Sequence, residues 1–155
     1  MDDQVYMNLA INEAKKAFME NEVPIGCVIV YKETVIASAH NRKEQLNRAT
    51  AHAEILAIEQ ACLLINDWRL DECVLYVTLE PCPMCAGAIY QSRIKRVVFG
   101  AFDPKGGAYG SNFDMNAIPR LNHYPIVSSG VLKEECGELL KDFFKIKRLK
   151  DSENT

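Results

Sequence analysis

The sequence predicts an α/β layer fold with a partly parallel sheet, formed by one domain that spans residues 1–155. Apolar residues make up 48% and charged residues 25% of the chain, which is typical of a globular protein and excludes a disordered or collagen-like one. Strand-like runs alternate with helical patterns along the chain. Neither an internal repeat nor a linker interrupts this alternation, so we expect a single domain.

The first elements are a helix and a hairpin. Residues 4–20 carry apolar side chains at helical spacing, and Pro24 lies just beyond them. Ile25 to Tyr31 is a continuous apolar run, which predicts a buried strand. A short turn leads to a second apolar run from Val35 to Ala39, so the two runs predict a β-hairpin.

The middle of the chain alternates helix and strand. We expect a loop over the polar residues 40–49, and then a helix from Thr50, as its cap, to about Ile65. Val74 to Leu79 predicts the next strand. Pro83 is typical of the first turn of a helix, so we expect another helix to begin there.

The last third of the chain closes the predicted sheet. Arg96 to Gly100 predicts a strand, and the glycine-rich residues 103–111 predict a loop. A short strand at Ile126–Val127 and a helix from about Leu132 to Leu149 follow. The order of elements predicts a sheet with parallel neighbours.

Charge and hydropathy restrict the environment of the chain. The formal net charge is −3, but residues 81–150 hold 11 basic against six acidic side chains, so whole-chain charge does not decide whether a nucleic acid binds. A basic C-terminal helix is also what an ordinary solvated helix face looks like. The apolar runs are shorter than the roughly 20 residues that a membrane helix needs. Without a leader-like start, we expect a cytoplasmic protein.

Two of the six cysteines form a pattern with a histidine. Cys82 and Cys85 are three residues apart and flanked by prolines, and His52 lies 30 residues upstream of Cys82. One imidazole and two thiolates provide three ligands for Zn²⁺ and leave a fourth position for water, as in catalytic zinc sites. His40 and His123 lie outside this pattern. Taken singly, a redox or structural cysteine pair and a core histidine remain the alternatives.

Glu54 is the candidate general acid–base. Residues two apart do not share a helix face, so His52 and Glu54 converge only if both lie in a first turn and the metal lies off the helix end. We expect Cys82 and Cys85 to begin a second helix beside the first, so that two helix N-termini favour thiolates. A carboxylate there can accept and deliver a proton. The alternative is a catalytically silent subunit stabilised by zinc.

The H-x-E and P-C-x-x-C motifs together resemble the zinc-dependent nucleobase deaminases. Most of the chain is similar to the family of bacterial tRNA-specific adenosine deaminases, through Glu22–Gly26, Ala39–Asn41, Thr50–Glu54, Trp68–Leu70, Leu75–Ala88 and Phe99–Gly107. The resemblance implies a three-layer α-β-α, cytidine-deaminase-like fold with a central mixed sheet of about five strands. It also implies a homodimer that converts the wobble adenosine in the anticodon stem-loop of an arginine tRNA to inosine.

The same resemblance implies substrate contacts. Asn41 would hydrogen-bond the purine, and Ile25 would line its pocket. Asp103 and Lys105 would meet the nucleotides beside the target base, and Arg148 on the C-terminal helix would contact the RNA backbone. An ordinary turn residue remains the alternative for Asn41, and a plain turn for Asp103.

Two aromatic residues depart from the family pattern. Tyr109 puts a bulky phenol where the family often has a small residue, near the expected RNA path, and Tyr124 stands where the family usually has arginine. These departures bear on RNA binding more than on deamination. The alternative function is therefore deamination of a free nucleobase or nucleoside, such as guanine or cytosine.

Overall fold

The computed structural model describes residues 2–153, so the ends of the predicted domain, Met1 and residues 154–155, lie outside the described residues. Five strands form one sheet in the order β2-β1-β3-β4-β5. Their bounds are Gly26–Tyr31 (β1), Thr34–His40 (β2), Cys73–Leu79 (β3), Arg96–Ala101 (β4) and Ile126–Ser128 (β5). β1 is antiparallel to β2 and β3, whereas β3, β4 and β5 are parallel. The mixed sheet is therefore confirmed.

Helices cover both faces of this sheet. They are Asp3–Met19 (α1), Lys43–Leu46 (α2), Ala53–Ile65 (α3), Pro83–Gln91 (α4) and Lys133–Glu153 (α5), with a 3₁₀ turn at Met115–Ala117. α1 and α5 pack on one face, and α3 and α4 on the other. The result is the predicted three-layer α-β-α architecture. Among residues 2–153, no helix combines the length and apolarity needed to cross a membrane.

The central strand β1 shows why the apolar run reads as continuous. Cys27 and Ile29 pack in the core beneath α3 and α4, whereas Val28 and Val30 pack in the core beneath α1. All four side chains are buried. A strand with helices on both faces has no solvent-facing side, so its sequence does not alternate between apolar and polar residues.

Two boundaries differ from the sequence prediction. A short helix, α2, lies within residues 40–49, where we expected only loop. The buried carboxylate of Glu22 accepts the backbone N–H groups of Glu44 and Gln45, at 3.0 and 2.6 Å, and so stabilises the start of α2 from a distant part of the chain. The expected Thr50 cap is wrong, since α3 begins at Ala53 with His52 as its N-cap residue.

The sheet brings several segment ends to one edge. β3 and β4 are parallel and end there, whereas the antiparallel β1 begins there. At that start, the N–H of Gly26 donates to Thr78 Oγ1 at 3.1 Å. A Cβ on Gly26 would lie 1.9 Å from the carbonyl oxygen of Ala10, so only glycine permits this close packing of α1 on β1. This edge holds the candidate site.

Candidate metal centre and active site

Three donor atoms converge at the start of two helices. His52 is the N-cap residue of α3, Cys82 is the N-cap residue of α4, and Cys85 lies in the first turn of α4. His52 Nδ1 is 3.5 Å from Cys85 Sγ and 3.7 Å from Cys82 Sγ. The helices therefore start side by side, as the spacing predicted.

The donor geometry fits a tetrahedral zinc ion. With bonds of about 2.05 Å to nitrogen and 2.3 Å to sulfur, a tetrahedral site has N–S edges of about 3.6 Å. The two observed N–S separations, 3.5 and 3.7 Å, bracket this value. Across residues 2–153, this is the one group of three His, Cys, Asp or Glu side chains placed to share a metal ion.

The other two histidines are engaged elsewhere. His40 contacts two carboxylates, Glu13 at 3.3 Å and Glu20 at 3.0 Å. His123 Nε2 donates to the carbonyl oxygen of Ile94 at 2.6 Å. Of the three histidines, His52 is therefore the one whose ring lies beside both cysteines.

The first turns of α3 and α4 also shape the electrostatics. Neither His52 nor Cys82 accepts a side-chain hydrogen bond from its own helix, so both side chains are available to the cluster. Pro83 occupies the first turn of α4, where its missing N–H costs no helical hydrogen bond. The partial positive charge of two helix N-termini stabilises thiolates at this point.

The pKa values of the two cysteine thiols are shifted in opposite directions. A hydrogen bond from Cys85 lowers the pKa of Cys82 to about 4, against the opposing effect of burial. The same hydrogen bond and burial raise the pKa of Cys85. The hydrogen bond with Cys82 raises the pKa of His52. Cys82 is therefore a thiolate near neutral pH, the form that ligates metals.

Glu54 lies in the first turn of α3, two residues after the ligand His52. It is 4% exposed. Burial raises the pKa of this carboxyl to about 7, and the nearby Cys82 adds to the increase. A carboxyl group with such a pKa exchanges a proton readily near neutral pH, which is what a general acid–base requires.

Asn41 and Ile25 lie on the same edge as the cluster. The N–H of Asn41 donates to the carbonyl oxygen of Ile25 at 3.0 Å, and Asn41 is buried. The next residue, Arg42, donates its N–H to the carbonyl oxygen of Ala51, the residue before His52. The structure thus brings the predicted purine-contacting residues beside the ligands, and their role with substrate stays a prediction.

The loop of residues 103–111 lies beside the segment that carries the two cysteine ligands. The N–H of Ala108 donates to the carbonyl oxygen of Pro81, the residue before Cys82. Asp103 Oδ1 accepts the N–H groups of Lys105 at 3.2 Å and Gly106 at 3.1 Å. This carboxylate shapes the turn, in line with the alternative reading of Asp103, whereas Lys105 is exposed.

Glu80 organises this loop, a role that the sequence left open. Its carboxylate is 2% exposed and accepts three backbone N–H groups of the loop, those of Asp103, Tyr109 and Ser111 at 3.0–3.1 Å. The hydroxyl of Ser111 is a fourth donor. The position of a glutamate at a strand end, directly before Pro-Cys, was the available sequence signal.

Three further residues lie away from the metal cluster or turn inward. Tyr109 is 8% exposed, so its phenol packs inside the protein, and its effect on RNA binding stays a prediction. The Tyr124 hydroxyl donates to the carbonyl oxygen of Ile118 and accepts the N–H of Leu121, which stabilises its own loop. Arg148 is exposed on α5, which packs on the sheet face opposite α3 and α4. No described contact brings Arg148 to the cluster.

Comparison with known proteins identifies close relatives. The family model of MafB19-like deaminases matches residues 1–148. The tRNA-specific adenosine deaminase of Bacillus subtilis (strain 168) is 54% identical over 148 residues, which cover 96% of this chain and 92% of the relative. A structure from a study of A-to-I editing by tRNA:A34 deaminases at the wobble position of transfer RNA is 48% identical, with a TM-score of 0.85, and the match covers 88% of this chain and 99% of that one.

A guanine deaminase is a more distant relative. The X-ray structure of guanine deaminase from Bacillus subtilis is 30% identical, with a TM-score of 0.63, over 76% of this chain and 86% of that chain. Together, the matches and the five-stranded mixed sheet confirm the cytidine-deaminase-like fold.

Proposed function

The chain belongs to the MafB19-like deaminases and, among them, to the tRNA-specific adenosine deaminases, and from this premise we propose that it deaminates adenosine to inosine at the wobble position of a tRNA anticodon. The observation that carries the proposal is the convergence of His52, Cys82 and Cys85 beside the buried Glu54. A hydrolytic deaminase needs this combination of a metal site and a proton carrier.

The donor set fits zinc, held by His52, Cys82 and Cys85. When bound by these residues, zinc would provide the Lewis acidity that activates a water molecule for attack on C6 of the adenine. Glu54 accepts one proton from the water and delivers it to ring nitrogen N1. It then carries the second proton of that water to the amine, which leaves as the C6–N bond breaks. The products are inosine and ammonia. The burial of Glu54 keeps its carboxyl group away from bulk water during these proton transfers.

Other residues of the site bind the target base and the nucleotides beside it. Asn41 hydrogen-bonds the purine through its amide, which both donates and accepts, and Ile25 packs against the ring. Lys105, exposed at the tip of the loop, meets a phosphate of the flanking nucleotides, and Arg148 extends the contact along the stem. An arginine tRNA is the proposed substrate.

Three further properties follow from this proposal. We infer a homodimer, as the family resemblance implies. A tRNA substrate also implies that the protein works in the cytoplasm. Residues 1–155 act as one zinc-dependent deaminase domain, since a single sheet organises the helices described between residues 2 and 153.

Deamination of a free base, guanine or cytosine, is the second candidate. The observation in its favour is the 30% identity to a guanine deaminase, but the chain is 54% identical to a tRNA-specific enzyme. The basic side chains of residues 81–150 also favour RNA over a small neutral base.

One assay separates the two candidates. The purified protein is incubated with the anticodon stem-loop of an arginine tRNA carrying adenosine at the wobble position, and in parallel with guanine, cytosine and adenosine. We expect inosine in the stem-loop and no ammonia from the free compounds. A stem-loop with guanosine at the wobble position is the matched RNA control. Turnover of a free base alone would reject the proposal.

A further inference from the structure

We propose that Glu80 is a positioning residue for substrate binding: its buried carboxylate holds the loop of residues 103–111 in the conformation that meets the RNA. This inference rests on the proposed function, because it assigns that loop to the substrate side of the site. Glu80 itself lies beneath the loop and contacts its backbone rather than the reacting atoms.

The hydrogen bonds of Glu80 span the whole loop. Oε1 accepts the N–H of Asp103 at the start of the loop, at 3.1 Å. Oε2 accepts the N–H groups of Tyr109 and Ser111 at its end, at 3.0 and 3.1 Å. One side chain therefore draws both ends of the loop together. Between these ends, Pro104 and Lys105 are exposed, whereas Gly107 and Ala108 are buried.

The number of donors requires a carboxylate. Three N–H groups and the Ser111 hydroxyl point at two oxygens, and an ionised carboxylate accepts on both while donating nothing. An amide in its place would direct an NH₂ group at the N–H of Asp103 or at those of Tyr109 and Ser111.

Gly107 shows how closely the loop packs against the carboxylate of Glu80. A Cβ at this position would lie 2.3 Å from the carboxyl carbon of Glu80. The backbone thus passes directly over the carboxylate, with room only for glycine. Such contact is expected where a buried side chain sets the path of a loop rather than merely filling space.

Glu80 also connects the loop to the metal ligands. It is the residue after β3 and stands two positions before Cys82. The carbonyl oxygen of Pro81, between them, accepts the N–H of Ala108. The same short segment therefore places one ligand and the substrate loop, which fixes the distance between the reacting centre and the nucleotides beside the target base.

The test is Glu80→Gln, which keeps the shape of the side chain and removes one acceptor. Steady-state deamination of the stem-loop, zinc content and amide hydrogen exchange are measured together. We expect KM to rise about tenfold and kcat to stay within about twofold. Zinc should stay bound, and the amides of Asp103, Tyr109 and Ser111 should exchange faster than in the wild-type protein.

Two further variants keep the result interpretable. Ser111→Ala removes only the hydroxyl donor, and we expect a KM increase of about threefold, so it serves if Glu80→Gln does not fold. Val98→Ala destabilises the core on the α1 side of the sheet and should leave KM unchanged. It controls for a general loss of stability.

Several results would overturn the inference. An unchanged KM in Glu80→Gln, or in Ser111→Ala where the first variant is unfolded, contradicts it. A fall in kcat alone, or amides that exchange as slowly as before, contradicts it as well. A wild-type protein inactive on RNA would refute the proposed function instead, and the exchange rates alone would then decide whether Glu80 anchors the loop.

Discussion

The metal cluster and the substrate-facing edge around it are built in different ways. His52, Cys82 and Cys85 are placed by the first turns of two helices, so short sequence motifs determine their geometry. The edge depends on contacts between distant segments, such as that between Glu80 and the loop of residues 103–111. Short motifs therefore place the metal ligands and Glu54 on their helices, whereas contacts between distant segments shape the edge that we propose binds the substrate.

Two buried glutamates of the site also differ in what surrounds their carboxylates. Glu80 accepts four hydrogen bonds and serves as a fixed anchor. Burial dominates at Glu54 and raises its pKa to about 7, which suits a group that must gain and lose a proton. Similar burial therefore supports opposite roles, according to how many donors surround the carboxylate.

The largest effect on activity is expected at Glu54, beside the metal ligands. Glu54→Gln should lower kcat by about 10³-fold, because the amide cannot carry the proton between water and the base. Zinc content and the unfolding transition should stay close to those of the wild-type protein. Glu59→Gln, an exposed carboxyl on the same helix, is the matched control. Full turnover by Glu54→Gln would remove this residue from the mechanism.

A smaller effect on activity is expected at the two residues that we propose contact RNA phosphates. Lys105→Ala and Arg148→Ala should each raise KM for the stem-loop by about threefold and reduce its salt dependence, since each removes one phosphate contact. kcat should not change. Lys32→Ala, an exposed lysine in the β1–β2 turn at the opposite edge of the sheet, is the control. A lower kcat at unchanged KM would show that these lysine and arginine side chains act on chemistry instead.

Tyr109→Phe tests the inward position of the phenol. Its hydroxyl is buried and makes no hydrogen bond with any residue between 2 and 153, so its removal should raise the free energy of unfolding by about 1 kcal/mol. Tyr124→Phe removes a hydroxyl with two partners and should lower that free energy by a similar amount. Urea denaturation measures both. A destabilised Tyr109→Phe would contradict the buried, unpaired hydroxyl.

A further effect, on stability alone, concerns a pair far from the site. Two hydrogen bonds from Arg96, at 2.9 and 2.7 Å, lower the pKa of Asp3. A lowered pKa contributes stability above the ordinary value, and this contribution is lost as the pH falls through the lowered one. Asp3→Asn should therefore cost about 1 kcal/mol at pH 7 and progressively less below about pH 4.

Denaturation at several pH values measures this difference. Glu72→Gln, which breaks an exposed pair with Lys95 at 3.8 Å, should change stability little at any pH and is the control. A cost of Asp3→Asn that grows towards acid pH would reverse the assigned sign.

The sequence predicted the elements that carry their signal locally. The apolar run of β1 and the His-x-Glu and Cys-x-x-Cys motifs each lie within a few residues. In the structure, the run forms β1 and the two motifs lie at the starts of α3 and α4. The short helix α2 and the conformation of the 103–111 loop escaped prediction. They depend on Glu22 and Glu80, whose hydrogen-bond partners are 22 to 31 residues away along the chain. No local pattern reveals such partners.

Titration of bound zinc against activity tests the central claim most directly. Chelation followed by stepwise return of zinc should restore stem-loop deamination in proportion to bound metal, up to one ion per chain. Cys85→Ser should take up less zinc, whereas Cys62→Ser, on the partly exposed side of α3, should behave as the wild-type protein does. Full deamination by protein that elemental analysis shows to be free of zinc would contradict the account.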